Sequence, residues 1–167
     1  SGIGTSTHLA AEALQSAAGI ELTHVPYKGT SQIAADLLAG VIPMSFESSL
    51  TTTIPNVKEG RLKVIALTSA KRSRALPDVP TVAEQGFPGF DVVTWFGMIG
   101  PAGLPRDIVN KLAQAWKAGA ATQPALSAFE HIGADIKVSS PADFADFIRT
   151  ENNRWGSLIR RLGIKID

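Results

Sequence analysis

Three short stretches carry most of the residues whose types suit an anionic ligand. The first, Gly2-Ile3-Gly4-Thr5-Ser6-Thr7, runs straight into a helical pattern. Its glycines permit a tight turn and close approach of a ligand. The first N–H groups of the helix and three hydroxyls can donate to a carboxylate or phosphate. The stretch lacks the Gly-Lys-Ser/Thr ending of a nucleotide-binding P-loop, and a glycine pair at a helix start is by itself a weak signal. His8 follows on the first helical turn. The second stretch, Tyr27-Lys28-Gly29-Thr30-Ser31, offers a cation, a glycine and two hydroxyls. The third, Phe46-Glu47-Ser48-Ser49, sets a carboxylate among hydroxyls. Glu47 would repel an anion at close range, yet it accepts from an amino group or a neighbouring loop. The same residues also suit turns and helix N-caps, and the sequence leaves both roles open.

Other chemistries find no matching pattern. The 167 residues include no cysteine, which excludes disulfides, zinc–thiolate sites and a cysteine nucleophile. His8, His24 and His131 stand outside any H-x-x-x-H or H-E-x-x-H spacing, so neither a metal nor another cofactor is expected. No G-x-S-x-G elbow is present, and Ser6 and His8 sit two residues apart, too close in sequence to supply a triad. Sixteen basic residues face fifteen acidic ones, a net charge of +1 that argues against nucleic acid. Lys71, Arg72 and Arg74 read as a solvated surface. No apolar run approaches the roughly 18 residues of a membrane-spanning helix. The opening residues lack both a positive leader and an apolar h-region, and they read as a loop from within a longer protein.

The elements that must position these stretches follow from periodicity. Leu9, Ala10, Ala13, Leu14 and Ala17 recur at helical spacing over 7–18, with Gly19 where a C′ residue belongs. A short β-compatible run at 22–25 leads to the second stretch and to a helix with Ile33, Ala34, Leu37 and Leu38 inward, closed by Gly40. A brief strand at 44–46, a polar turn with a short helix over 48–57, and the apolar run 62–67 repeat the alternation. A largely parallel α/β sheet is expected. Proline, glycine and charge then break the chain over 71–88 into an ordered excursion with one helical turn at 82–85. The segment 90–99 reads as extended. Helices are predicted over 106–122, with Ile108, Val109, Leu112, Ala115 and Trp116 inward, and over 124–132. A short strand at 135–138 precedes the longest helix, capped by Ser140, whose stripe runs from Phe144 to Leu162 and is broken only by Glu151. Core packing is expected of Trp95-Phe96, Trp116 and Trp155.

The succession of phrases goes further than periodicity. SGIGTSTHLA, HVPYKGTSQIAADLLAG, MSFESSL, the long LKVIALTSAKRSRALPDVPTVAEQGFPGFDVVTWFGMIGPAGLP and FADFIRTENNRWGSLIRRLGIKID together resemble the Bug-type receptors. These are the extracytoplasmic solute-binding proteins of tripartite tricarboxylate transporters. The most specific parts are VPYKG, ALPDVPTVAEQGFPGF and TWFG with PAGLP. The resemblance implies an α/β fold of the type II periplasmic-binding-protein kind, with two lobes closing over a small carboxylate, and no catalysis. It places the anion loop on Gly4, Thr5, Ser6 and His8, and two further cleft junctions on Lys28-Gly29-Thr30 and on Phe46-Glu47-Ser48 with Ser49 beside it. Members often carry Asp-Asn after that phenylalanine, and an acidic residue where Pro43 stands here, so ligand identity does not transfer.

Family members are nearly twice this length. The chain therefore reads as one complete lobe, residues 1–94, plus the crossover and helical return segment 95–167 of a first lobe whose N-terminal part is missing. The implied partners are the carboxylate and the membrane permease components, and the implied location is the periplasm. The uncovered apolar surface suggests either self-association or repacked C-terminal helices. An α/β enzyme using the 2–7 loop, and a fragment without binding activity, are the alternatives.

Overall fold

The computed structural model describes residues 2–51 and 53–164. Among the described residues six α-helices follow in order: α1 (Ser6–Ala18), α2 (Thr30–Leu38), α3 (Thr53–Lys58), α4 (Arg106–Ala120), α5 (Gln123–His131) and α6 (Pro141–Leu162). A 3₁₀ turn covers Ala83–Gln85. The boundaries obey local chemistry. Gly19 ends α1 in the left-handed conformation at φ 63°, donating its N–H to the Gln15 carbonyl. Ser140 opens α6: its Oγ accepts the Asp143 N–H at 3.1 Å and donates to Asp143 Oδ2 at 2.7 Å, a reciprocal cap that satisfies a first-turn donor. No helix among the described residues is long and apolar enough to cross a membrane.

The chain divides into two compact units, one reaching to Thr94 and including the chain end from Leu162, the other Trp95–Arg161. In the first unit the expected parallel sheet is not formed as a hydrogen-bonded ladder among the described residues. A single parallel bridge, Leu67 to Thr81, is present there. Around it the Leu67 N–H donates to the Pro80 carbonyl at 2.9 Å, the Val82 N–H to the Leu67 carbonyl at 2.8 Å, and the Val92 N–H to the Thr68 carbonyl at 2.8 Å. The runs 22–25, 44–46 and 62–66 keep their place between helices but pair with no neighbour in register. In 62–66 the alternation survives, with Leu62, Val64 and Ala66 half-buried and Lys63 and Ile65 exposed. Alternation specifies which face is covered, whereas a strand also requires a partner about 4.8 Å away in register, and that requirement lies outside the segment's own sequence.

The excursion at 71–88 is stapled. Thr81, the most deeply buried side chain at 1% exposed, and Glu84 cap each other: the Glu84 N–H donates to Thr81 Oγ1 at 3.1 Å and the Thr81 N–H to Glu84 Oε2 at 2.7 Å. Arg72 is not merely solvated charge. Its Nε donates to both Glu84 oxygens, at 2.9 and 3.1 Å, and its Nη1 to the Pro77 carbonyl at 3.2 Å. This pairing and the backbone bond at Thr81 hold the Glu84 carboxyl below its ordinary range.

In the second unit Trp95 meets the Phe144 and Phe147 rings of α6 edge-on, with centroids 5.7 and 5.2 Å away. Trp95 is nonetheless 39% exposed and its neighbour Phe96 91%, so core packing is overturned for both. Adjacent residues in an extended segment point to opposite sides, and only one side of this segment meets α6. On α6, Glu151 does not interrupt the apolar stripe idly, because Trp155 Nε1 donates to Glu151 Oε2 at 2.8 Å. The inward face expected of α4 is another correction: Ile108, Leu112 and Trp116 are all exposed. They share one face at i, i+4 and i+8, and among the described residues that face is only partly covered.

Candidate functional site

The N-terminal loop is a closed hydrogen-bonded turn. Gly4 takes a φ of 78°, a value that disfavours any side chain, and lets the loop double back before α1. The Thr5 N–H donates to the Gly2 carbonyl at 3.3 Å, and Thr5 Oγ1 donates to the same carbonyl at 2.7 Å. With its one hydroxyl proton committed there, Thr5 Oγ1 is an acceptor toward Thr7 Oγ1 at 3.2 Å and toward the His8 N–H at 3.5 Å, the N-cap of α1. The Thr5 hydroxyl is therefore spent on shaping the loop. Helix geometry leaves the Ser6 and Thr7 N–H groups, in the first turn, without intrahelical acceptors.

His8 is buried, 8% exposed, and faces inward along the same turn. Its Nδ1 accepts the Gly4 N–H at 3.1 Å, so the proton of the neutral ring sits on Nε2, 3.4 Å from Glu12 Oε1. The His24 ring stacks on it with centroids 4.2 Å apart and planes 19° from parallel. Burial, and then the charge of His24, push the His8 pKa below its ordinary value against the opposing pull of Glu12. With Nδ1 accepting from Gly4 and the Nε2 proton facing Glu12, the ring is committed at both nitrogens and is not poised as a general base.

At the second stretch, Gly29 is the N-cap residue of α2 and supplies no side-chain cap, while Lys28, Gly29 and Thr30 are all exposed. Tyr27 anchors this junction through its hydroxyl, which donates to Asp36 Oδ2 at 2.7 Å, a bond that raises the phenol's pKa. At the third, Glu47 accepts from Ser45 Oγ at 2.8 Å, and Phe46 and Glu47 are half-buried while Ser48 and Ser49 are exposed. Ser49 Oγ lies 2.9 Å from Thr51 Oγ1. Direct bonds thus join Gly4, Thr5 and His8 into one cluster, and each other stretch is tied within its own junction.

Sequence reasoning passed over Glu12 and Asp36, which hold His8 and Tyr27 in place, and it assigned Thr7 and His24 no such partner. The i,i+4 spacing of His8 and Glu12 was the available signal for one of them. His24 and Asp36 become partners only through the fold.

The model of the family described as "Tripartite tricarboxylate transporter family receptor" matches residues 1–164. A UPF0065 protein from the tcbD–tcbE intergenic region of Pseudomonas sp. (strain P51) is 38% identical over 159 residues, 95% of this chain and 47% of that protein. A UPF0065 protein from the clcB–clcD intergenic region of Pseudomonas knackmussii is 38% identical over 159 residues, 95% of this chain and 94% of that protein. Among solved structures, an R. palustris protein with adipate superposes with a TM-score of 0.81 at 32% identity, over 96% of this chain and 54% of that one. The periplasmic binding protein BugD gives a TM-score of 0.76 at 32% identity, over 97% and 55%. MatC from Rhodopseudomonas palustris, with bound malate, gives 0.72 at 26%, over 93% and 54%. This chain spans about half the length of these solved structures and of the first-named relative. Its fold is accordingly that of about half of a periplasmic solute-binding protein, and these neighbours are binding receptors rather than enzymes. The family match over residues 1–164, with relatives 38% identical over 95% of this chain, makes this chain a member of the tripartite tricarboxylate transporter receptor family.

Proposed function

We propose that this chain is the ligand-binding part of a periplasmic receptor that takes a small carboxylate, dicarboxylates first, and presents it to the membrane components of a tripartite transporter. In this reading residues 1–94 are the second α/β lobe of a type II periplasmic-binding-protein fold, and residues 95–167 are the crossover and return segment of the first. Binding is by lobe closure, without a cofactor or catalysis. The observation that carries the reading is the Gly4 turn at the head of α1. It is held in shape by Thr5 and His8, and it leaves first-turn N–H donors at Ser6 and Thr7 where an anion is favoured. The Ser6 hydroxyl adds a donor at the same end. Lys28, Gly29 and Thr30, with Phe46, Glu47, Ser48 and Ser49, supply the two further junctions, where Lys28 adds positive charge and Glu47 limits how many carboxylates fit. The adipate and malate of the solved neighbours support a dicarboxylate.

The test is a thermal-shift series with acetate, malate, adipate and citrate, since selective binding to the native state raises the melting temperature. Malate or adipate is expected to raise it and acetate to leave it unmoved. Ser6→Ala should shrink the ligand-induced rise while the ligand-free melting temperature holds, whereas Thr5→Ala should lower both. Absence of a shift with all four acids would overturn carboxylate binding by this chain.

A further inference from the structure

Resting on the carboxylate reading above, we infer that His8 is a positioning residue: its neutral imidazole holds the Gly4 turn, and protonation of that ring opens the anion loop. The geometry is direct. His8 Nδ1 is the acceptor for the Gly4 N–H at 3.1 Å, four residues back along the chain, at the one loop position with a positive φ. A protonated ring is donor at both nitrogens and would set N–H against N–H across that contact. The turn would then lose the bond that closes it, while Thr5, which needs the turn for its bond to the Gly2 carbonyl, would lose its partner.

The groups facing His8 act in opposition. Glu12 of α1 lies 3.4 Å from Nε2 and favours the cation. Burial disfavours it most, and His24, stacked on the ring from the segment ahead of Tyr27, disfavours it too. The net direction is toward the neutral ring, with the His8 pKa below 6.5. A carboxylate at the first turn of α1 needs that loop closed, so binding is coupled to the loss of a proton from His8. His8 acts through Gly4 and not by touching the ligand.

The test follows the ligand-free chain by ¹H–¹⁵N NMR between about pH 8 and about pH 5, the range in which histidine titrates. The His8 ring is expected as the Nε2–H tautomer at high pH, and the Gly4 amide resonance is expected to move with His8 protonation. In His24→Asn, which leaves a single imidazole there, the Gly4 response should persist. An Nδ1–H tautomer, or a Gly4 amide indifferent to His8, overturns the inference whether or not any acid binds.

Calorimetry with adipate at both ends of that range adds the functional arm. Affinity should fall by about tenfold toward low pH, the upper end of what losing one neutral hydrogen bond is worth. His8→Asn, whose amide oxygen can accept from Gly4 without titrating, should remove most of that pH dependence. Equal adipate affinity at both pH values in the unsubstituted chain counts against the inference. No adipate binding at either pH refutes the adipate reading alone, and the NMR result then decides the role of His8.

Discussion

Gly4 and His8 form one unit at the scale of single residues. A Cβ at a φ of 78° costs about 1–2 kcal/mol, so Gly4→Ala is expected to lower stability in urea denaturation by that amount. The pH dependence has a definite sign. The folded chain holds the His8 proton less tightly than the unfolded chain, whose histidine titrates near 6.5. The unfolded state therefore binds more protons below that value. The stability associated with His8 is complete above about pH 6.5, falls as the pH drops through the folded-state value, and is lost below it. Gly4→Ala, which loosens the contact between loop and ring, should show a shallower decline over the same range. An unchanged slope in Gly4→Ala would detach the titration of His8 from the turn. The glycine, the hydroxyls and the histidine were legible as residue types because they gather at a helix start, where backbone N–H groups lack intrahelical acceptors. Their division of labour was not. Thr5 looked like a ligand donor, and only the geometry commits its proton to the Gly2 carbonyl.

Helices were legible as elements because their causes are local. Ser140 and Asp143 announce α6 three residues apart, and Thr81 with Glu84 repeats the pattern ahead of the 3₁₀ turn. Strands were legible only as alternation, since pairing depends on chain distant in sequence, and the single bridge at Leu67 came from a segment read as an excursion. Gly97 shows the same limit. Nothing near it in sequence requires a glycine, yet a Cβ there would run into the Phe144 ring, which lies against Trp95 and Phe147. Gly97→Ala is expected to cost about 1–3 kcal/mol, as overpacking does, although Gly97 is exposed. The indole of Trp95 should report the displacement as a change in near-ultraviolet circular dichroism. Combining the substitution with Phe144→Leu, which removes the obstructing ring, should recover part of the loss. A near-neutral Gly97→Ala with an unchanged tryptophan signal would show that the ring is not held against this backbone.

For the whole molecule, the informative surface is the apolar face of α4. Ile108, Leu112 and Trp116 are 41, 43 and 45% exposed, three large side chains in line on one helix. The sequence pattern that marks such a stripe is a demand for cover, and periodicity states the demand without saying what meets it. In the two-lobed receptor of the proposed function, the remainder of the first lobe is what would cover it. Leu112→Ala separates the two situations. At its present exposure the side chain forfeits only part of its transfer free energy, and the expected cost in this chain is about 1 kcal/mol. In a full-length receptor with the face covered, the same truncation should cost about 2–5 kcal/mol, because a cavity is added to the lost transfer term. Urea denaturation of both proteins measures the difference. A cost of the larger size in this chain would mean that the face is already covered, and sedimentation at rising concentration would then show whether a second copy covers it. A monomer with the larger cost would place the cover inside the chain and would overturn the assignment of α4 to an interrupted lobe.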